Sequence, residues 1–366
     1  MKFTAEKSQI VDSLQNAAAV AERRQTIPIL ANLRLKAISG KLEVTATDLE
    51  IQVKTYSDLL SIEEEGETTV SARKMSELCR SLPDAENVEF TLKDGKLTVS
   101  SKNFHGDFAT ISADDFPELE VNEDQDTTEI SSGALKRILT KTAFSMASQD
   151  VRYYLNGLLL ELSGEELKGV ATDGHRLALS SIEAKGNGLE MRNILPRKAV
   201  LELAKLLSPE DSPIEMLVGP TYIGVKTENL SFSSKLIDGK YPDYEKVFPS
   251  GEPRPLLVGK ETLQSALSRA SVLSNEKYRG VRFELSKGAL KLTANNPEQE
   301  SAEEVLEVDY QGAELEVGFN IGYLIDVLGS IEEEIVKFEF YGEDSSCVIK
   351  EPSSENEVYV IMPMRL

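Results

Sequence analysis

The sequence predicts an α+β fold of three similar domains, each made of two units in which a helix is followed by antiparallel strands. Three observations predict this class. The chain has 366 residues, which is long for a single domain. It contains an internal repeat of roughly 124 residues, and its apolar residues alternate between helical and strand spacing.

The repeat is clearest at three matching turns. Ala46-Thr47-Asp48, Ala171-Thr172-Asp173 and Ala294-Asn295-Asn296 begin 125 and 123 residues apart. The spacing predicts domains over residues 1–122, 123–250 and 251–366. We expect linkers near Val121–Thr128, which is acidic and polar, and near Pro249–Pro255, which is rich in Pro and Gly.

Each domain opens with apolar residues three and four apart, as in Ile10, Leu14 and Ala17, which predicts a helix with one buried face. Alternating strands follow, and Ser39-Gly40-Lys41 and Ser163-Gly164-Glu165 supply hairpin turns. The second half of each domain repeats this layout, with further helices expected after Val70–Lys74, Ile194–Lys198 and Phe319–Gly322.

Composition excludes several classes of protein. Cys79 and Cys347 are the only cysteines and have no partner at metal or redox spacing, which excludes a disulfide scaffold and a zinc ribbon. No apolar run approaches the ~20 residues of a membrane span. The first residues have no signal-peptide pattern, so we expect a cytoplasmic protein. The net charge of −22, taken alone, argues against binding nucleic acid.

No catalytic, metal or cofactor motif is evident. The sequence has no Gly-rich phosphate loop and no dinucleotide fingerprint. Asp173-Gly174-His175 is open to two interpretations, an acid–base pair or a turn capped by a structural aspartate. The segment occupies the same repeat position as Thr47-Asp48-Leu49-Glu50, which favours the turn.

Charge is distributed unevenly along the chain. Five of the six predicted helical segments, residues 6–24, 71–82, 132–149, 195–207 and 260–279, together carry +9, which leaves −31 for the rest. The sixth, predicted to end in Glu332-Glu333-Glu334, is an exception. Helix propensity favours Glu as well as Lys and Arg, so it does not explain the sign. Basic helices in an acidic chain indicate a phosphate-binding surface.

Gln149-Asp150-Val151-Arg152-Tyr153-Tyr154 places two aromatic residues beside the end of a basic segment. Tyrosines can stack on bases and donate to phosphates, or they can form an ordinary pair at the edge of a core. No base-reading helix is evident, so any binding of nucleic acid should be independent of sequence.

At this point a family resemblance becomes specific. The chain resembles the bacterial β sliding clamps, the processivity subunits of DNA polymerase III, over essentially all 366 residues. The segments that carry the resemblance are Met1–Thr4, Pro28–Leu30, Thr47–Glu50, Gln149–Gly157, Ala171–Ala178, Ser274–Lys277, Thr293–Glu300 and Met362–Leu366.

The resemblance implies a head-to-tail homodimer, a ring of six domains with twelve helices lining a hole that encloses double-stranded DNA. The positions it matches as DNA contacts are Arg24, Arg73, Gln149, Tyr153 and Tyr154, and the helix pattern alone adds Arg137 and Arg197. It places the dimer interface at Lys74, Leu78, Leu82, Phe104, Phe108, Val272 and Leu273. Gly106 stands where the family often has a bulky apolar residue, and Glu298, Glu300, Glu303 and Glu304 are expected to face Lys74 or Arg80.

The resemblance also implies a pocket between the second and third domains that binds short apolar peptides. Its partners would be the polymerase III alpha subunit, the clamp-loader delta subunit, translesion polymerases, mismatch-repair proteins and DNA ligase, all in the nucleoid-associated cytoplasm. The matching positions are Leu155, Thr172, Gly174, His175, Arg176, Leu177, Pro242, Val247, Asn320, Tyr323, Val360, Met362, Pro363, Met364 and Arg365. We expect Met362 and Met364 to point the same way from an alternating C-terminal strand.

Two other hypotheses remain open on the sequence alone. An acidic hub could bind peptides but not DNA, which the −31 remainder and the Met-rich terminus would suit. A hydrolase could use Asp173 and His175. The clamp interpretation predicts no catalytic residue, no metal and no cofactor.

Overall fold

The computed structural model describes residues 1–21, 27–83, 86–119, 125–184 and 188–365. Within these ranges the chain forms six α-helices: α1 (Lys7–Val20), α2 (Ala72–Ser81), α3 (Ser132–Thr142), α4 (Arg197–Leu206), α5 (Lys260–Val272) and α6 (Ile321–Ser330). The same ranges contain the strands β1 (Lys2–Glu6), β2 (Asn32–Ile38), β3 (Lys41–Thr47), β4 (Ile51–Asp58), β5 (Ser61–Glu64), β6 (Gly66–Ser71), β7 (Asn87–Lys93), β8 (Lys96–Ser101), β9 (Phe104–Ile111), β10 (Asp126–Ser131), β11 (Gly157–Ser163), β12 (Glu166–Thr172), β13 (Arg176–Glu183), β14 (Met191–Pro196), β15 (Pro213–Val218), β16 (Tyr222–Lys226), β17 (Leu230–Lys235), β18 (Arg254–Gly259), β19 (Gly280–Ser286), β20 (Ala289–Asn295), β21 (Ser301–Glu307), β22 (Asp309–Tyr310), β23 (Leu315–Asn320), β24 (Ile335–Phe340), β25 (Cys347–Lys350) and β26 (Glu357–Ile361).

The six helices lie where the periodicity predicts them, but some are shorter than expected. Helix α3 ends at Thr142 and α5 at Val272, so Lys277 and Arg279 belong to the loop after α5. Helix α6 ends at Ser330, before the three glutamates that were predicted to close it. The two expected linkers are also shorter, because β10 begins at Asp126 and β18 at Arg254.

The repeat appears as three equivalent hairpins. The turns between β2 and β3, β11 and β12, and β19 and β20 contain Gly40, Gly164 and Gly288, with φ of 81°, 62° and 76°. This left-handed conformation is favourable for glycine because it lacks a Cβ. Gly40 and Gly164 therefore close hairpins as predicted, and Gly288 closes the third in the same way.

The described residues group into two compact units. The first contains residues 1–133 and 201–236, and its strands form one antiparallel sheet in the order β10-β15-β16-β17-β4-β3-β2-β6-β9-β8-β7-β1-β5. Helix α1 covers part of this sheet with Ile10, Leu14 and Ala17, each at most 1% exposed. Phe3 stacks on Phe90 with ring centroids 4.7 Å apart.

The second unit contains residues 134–200 and 237–366. Its strands form one sheet in the order β14-β11-β12-β13-β26-β25-β24-β18-β22 and another in the order β21-β20-β19-β23. Helices α5 and α6 pack together, and their buried faces join a core that includes Phe283 and Phe338. Among the described residues, no helix combines the length and apolarity that crossing a membrane would require.

Candidate peptide-binding site

An apolar cluster in the second unit contains several of the predicted pocket residues. Strands β13 and β26 pair so that Leu177 lies opposite Val360, and both side chains are fully buried. Leu155 belongs to the same cluster, and Val247 packs at its edge, half-buried. Four predicted residues from distant parts of the sequence thus meet at one place.

A tight turn borders this cluster. The Asp173 carboxylate accepts hydrogen bonds from the backbone N–H groups of His175 (2.9 Å) and Arg176 (3.1 Å). The Thr172 hydroxyl accepts from the N–H of Gly174 and donates to the carbonyl of Arg176. These bonds hold the backbone of Gly174 at φ 90°.

The equivalent turn in the first unit has the same bonds. Asp48 accepts from Glu50 and Ile51, and Thr47 accepts from Leu49 and donates to Ile51. The prediction of a structural aspartate is therefore confirmed. The second oxygen of Asp173 binds Arg176, so neither oxygen is oriented as an acid–base partner for His175.

Arg176 connects the turn to helix α6. Its guanidinium donates to Asp173 (3.0 Å), to Asp326 (2.5 Å) and to the Phe144 carbonyl (2.7 Å). It also lies 4.5 Å from the centroid of the Tyr323 ring. Its side chain is only 10% exposed, so Arg176 shapes the site from within.

The exposed rim carries further predicted residues. His175 is exposed and stacks on Tyr323, with ring centroids 6.4 Å apart. Asn320 caps α6 by accepting hydrogen bonds from the N–H groups of Gly322 and Tyr323. Pro242 is exposed beside the apolar cluster member Tyr241.

The C-terminal segment differs from expectation. Strand β26 ends at Ile361, and the residues after it do not continue as an alternating strand. The N–H of Met362 donates to the His175 carbonyl, whereas that of Met364 donates to the Gly318 carbonyl. The two methionines have different surroundings, because Met362 contacts Ser346 while Met364 lines a groove of about 490 Å³ shared with Pro363 and Arg365.

Three side chains that sequence reasoning missed support the cluster. Tyr241 is buried and its hydroxyl accepts from the Thr172 N–H, and burial raises the pKa of that hydroxyl. Tyr244 is buried and donates to Glu161. Ser346 donates to the Val247 carbonyl and approaches the Met362 sulfur. The sequence offers one signal for the two tyrosines: Tyr241 and Tyr244 follow Asp238-Gly239-Lys240 shortly before the expected linker at Pro249–Pro255.

The loop from Gln149 to Tyr154 presents its predicted residues at the surface. Asp150 accepts from the backbone and guanidinium of Arg152, and these bonds lower the Asp150 pKa to about 2. Gln149 is exposed with φ 58°, and Tyr153 is 57% exposed. Tyr154 is half-buried and meets Tyr153 edge to face, so the two tyrosines differ in how much of each ring solvent can reach.

The arginines predicted to contact DNA differ in the ion pairs and hydrogen bonds that they already make within the chain. Arg137 forms a two-pronged ion pair (2.7 and 3.0 Å) with Glu357, whose side chain is 1% exposed, and that hydrogen bonding raises the Arg137 pKa. Arg197 donates to the carbonyls of Met146 and Ala143. Arg73 is 65% exposed, with Glu77 3.8 Å away. Arg24 lies outside the described residues.

The helix pattern predicts Arg137 as a phosphate contact, and that remains a prediction, but the structure already gives this side chain a partner. Its guanidinium neutralises a buried carboxylate 220 residues away in the sequence. Nearby, buried Lys141 binds Glu332 (2.8 Å) and the Ser330 carbonyl. Two of the three basic residues of α3, Arg137 and Lys141, therefore fasten the helix to the C-terminal part of the second unit.

The predicted dimer-interface residues are divided between the two units. Lys74 is exposed on α2, Leu78 and Phe108 are half-buried, Leu82 is buried, and Phe104 is 36% exposed. In the second unit, Val272 is 77% exposed at the end of α5, with the half-buried Leu273 next to it. Among the described residues, no three His, Cys, Asp or Glu side chains are arranged to hold a metal ion.

Comparison with known proteins gives the family. Three family models match in order: the DNA polymerase III beta subunit N-terminal domain over residues 1–120, its central domain over 129–243 and its C-terminal domain over 245–365. The expectation of three related α+β domains is thus confirmed.

Full-length relatives agree. The chain is 43% identical to a beta sliding clamp of Pseudomonas aeruginosa and 42% identical to that of Escherichia coli, in each case over 100% of both chains. A crystal structure of the P. aeruginosa DnaN sliding clamp bound to griselimycin superposes with a TM-score of 0.96 at 43% identity, again over 100% of both chains. This chain belongs to the β sliding clamp family, the beta subunits of bacterial DNA polymerase III.

Proposed function

We propose that this protein is a DNA sliding clamp whose two copies join head to tail and enclose duplex DNA. The observation that carries the proposal is its end-to-end identity of 43% with a curated beta sliding clamp. The clamp is a processivity subunit without a catalytic site of its own. Because the ring holds DNA topologically, its phosphate contacts need only be weak and independent of sequence.

For the DNA contacts we propose Arg73, Gln149, Tyr153 and Arg24. Arg73 and Tyr153 are well exposed, as a group that meets a passing phosphate must be. Tyr154 would act mainly by supporting Tyr153. Arg137 and Arg197 would contribute less, because their guanidinium groups already bind Glu357 and backbone carbonyls.

For the partner site we propose that short apolar peptides bind against the Leu155–Leu177–Val360 cluster. Val247, Pro242 and Met362 would form its exposed edge. Methionine adapts to differently shaped ligands, which suits a pocket that several partners share. The proposed partners are the polymerase III alpha subunit, the clamp-loader delta subunit, translesion polymerases, mismatch-repair proteins and DNA ligase.

We further propose that the three domains span residues 1–122, 123–250 and 251–366. In the head-to-tail contact, one copy would contribute Lys74, Leu78, Leu82, Phe104 and Phe108, and the second copy would contribute Val272 and Leu273. Work on DNA would place the protein in the cytoplasm at the nucleoid.

Retention on DNA of different topology tests the clamp proposal. We expect the loaded protein to stay on nicked circular DNA and to leave when the circle is linearised. Charge reversal at Arg24 and Arg73 should weaken loading and polymerase processivity, whereas Lys41→Glu, which reverses the exposed cation of the Lys41–Asp58 ion pair, should not. Equal retention on linear and circular DNA would refute the clamp.

The acidic-hub alternative predicts a different pattern. A hub would bind the apolar peptides normally but would show no topology-dependent retention and no response to the arginine reversals. Light scattering adds an independent measurement, because the ring requires a mass near twice 40.4 kDa. A stable monomer at micromolar concentration would contradict the ring.

A further inference from the structure

Strand β9 has an open backbone edge in the first unit. It pairs with β8 from Phe104 to Ala109, but β6 on its other side pairs only with Thr110 and Ile111. In the described part of the chain, no strand pairs with the second edge between Phe104 and Ala109. An open strand edge is a template for pairing with another chain.

The same part of β9 carries an unusual aromatic arrangement. Phe104 and Gly106 share one face of the strand, and the Phe104 ring lies over Gly106. A Cβ added to Gly106 would be 2.7 Å from Cζ and 3.1 Å from Cε1 of that ring. The ring therefore occupies the space that a larger residue at position 106 would fill.

This aromatic ring is only partly covered. The neighbouring residues Leu97 and Val99 of β8 are fully buried, whereas Phe104 keeps 36% of its surface exposed. Phe108, on the same face two residues beyond Gly106, is half-buried. The face thus presents an apolar strip beside an open hydrogen-bonding edge.

The second unit offers a complementary edge on a second copy. Strand β21 ends its four-stranded sheet, and Val305 on it is 61% exposed. Residues 298–307 contain five glutamates and no basic residue, and two of them, Glu303 and Glu304, already pair with Lys291 and Arg269. Residues 96–106 contain two lysines and no carboxylate. Opposite charge and two open strand edges favour a second copy of this chain as the occupant.

We infer that Phe104, seated over Gly106, supplies the aromatic contact of the dimer interface that a bulky residue at position 106 would otherwise supply. The inference rests on the proposed head-to-tail ring and names the residue that holds it together. Aromatic side chains that become fully buried at the centre of an interface carry a large share of the binding energy. Positions 104 and 106 are then coupled, because a side chain at position 106 would require the Phe104 ring to move.

A double-mutant cycle on the full chain tests this inference. Sedimentation or mass photometry from nanomolar to micromolar concentration gives the dimer dissociation constant. We expect Phe104→Ala to raise it at least tenfold. Gly106→Ala should raise it at least threefold, because the new Cβ displaces the ring. The double variant Phe104→Ala/Gly106→Phe should return it to within about threefold of the wild type.

Ile111→Ala is the matched control, since Ile111 is as exposed as Phe104 (37%) but lies on the opposite face of β9. We expect its dissociation constant to stay within twofold of the wild type. A wild-type monomer would refute the proposed ring and the inference together. A wild-type dimer that Phe104→Ala leaves unchanged, or that the double variant fails to restore, would refute the role of Phe104 alone and leave the ring standing.

Discussion

Arg176 joins a turn of the central segment to helix α6, so replacing it with alanine should loosen the candidate peptide site. The variant loses hydrogen bonds to Asp173, Asp326 and the Phe144 carbonyl, together with the stacking on Tyr323. Asp173 would remain as a mostly buried carboxylate without its cation, because its side chain is only 16% exposed.

The magnitude follows from these contacts. The bond to the buried Asp173 should contribute about 1.5 kcal/mol and that to the Phe144 carbonyl about 1 kcal/mol. Asp326 is 47% exposed, so its pair should add only about 0.5 kcal/mol. With about 0.5 kcal/mol more from the cation–π contact, Arg176→Ala should lower the free energy of unfolding by about 3.5 kcal/mol. Arg176→Lys keeps the charge but not the planar fork, and should lose about half as much.

Urea unfolding of the full chain measures the stability, and fluorescence anisotropy with a labelled apolar peptide from the cognate polymerase III alpha subunit measures binding. We expect peptide affinity to fall at least tenfold in Arg176→Ala, because His175 and Tyr323 lose their shared support. Lys41→Ala is the control: its ion pair with Asp58 in the first unit is exposed on both sides, so its loss should change the free energy of unfolding by less than about 0.5 kcal/mol. An Arg176→Ala protein as stable as this control would refute the argument.

Two further predictions concern buried or paired groups. Burial alone would raise the Glu118 pKa, but hydrogen bonds from Lys54 and Arg34 outweigh it and lower the pKa to about 2. This carboxylate therefore stabilises the fold above about pH 4.5, and that stabilisation is lost as the pH falls towards 2. Because the Glu118 side chain is 40% exposed, we expect the free energy of unfolding to fall by only about 1 kcal/mol. Glu118→Gln should narrow the difference between urea midpoints at pH 7 and pH 3, and an unchanged difference would contradict the pairing. Burial raises the pKa of Cys79 to about 12 and that of Cys347 well above its usual value, so neither thiol should react with Ellman's reagent before unfolding; rapid labelling of the native protein would contradict their burial.

Local sequence patterns predicted the elements and turns well. Helical spacing located the six helices of the described ranges, and the repeat position of Asp173 predicted a turn that Asp48 reproduces bond for bond. Such features depend on residues within four positions of one another, so the sequence displays them directly.

Pairing between distant residues could not be predicted in this way. The partner of Arg137 is Glu357, and nothing in the spacing of α3 indicates a carboxylate so far along the chain. Ser346 meets Met362 only because β25 and β26 are neighbours in the sheet. The seating of Phe104 over Gly106 is local, but it depends on a side-chain rotamer that the pattern of residue types does not reveal.

The groups that the basic residues bind explain how a chain of net charge −22 can act as a DNA clamp. Folding uses some of its cations internally: Arg137 neutralises Glu357, Lys141 binds Glu332, and Arg197 binds backbone carbonyls. Few predicted contacts then remain as exposed as Arg73. Each phosphate that a protein neutralises steepens the slope of the log binding constant against log salt concentration by about 0.9. A small number of phosphate contacts therefore gives weak binding to DNA. A ring closed around the duplex does not need strong attachment, and strong attachment would oppose sliding. The acidic excess elsewhere disfavours phosphate binding at other surfaces, and the same charge distribution that seemed to argue against DNA therefore suits a protein that encloses it.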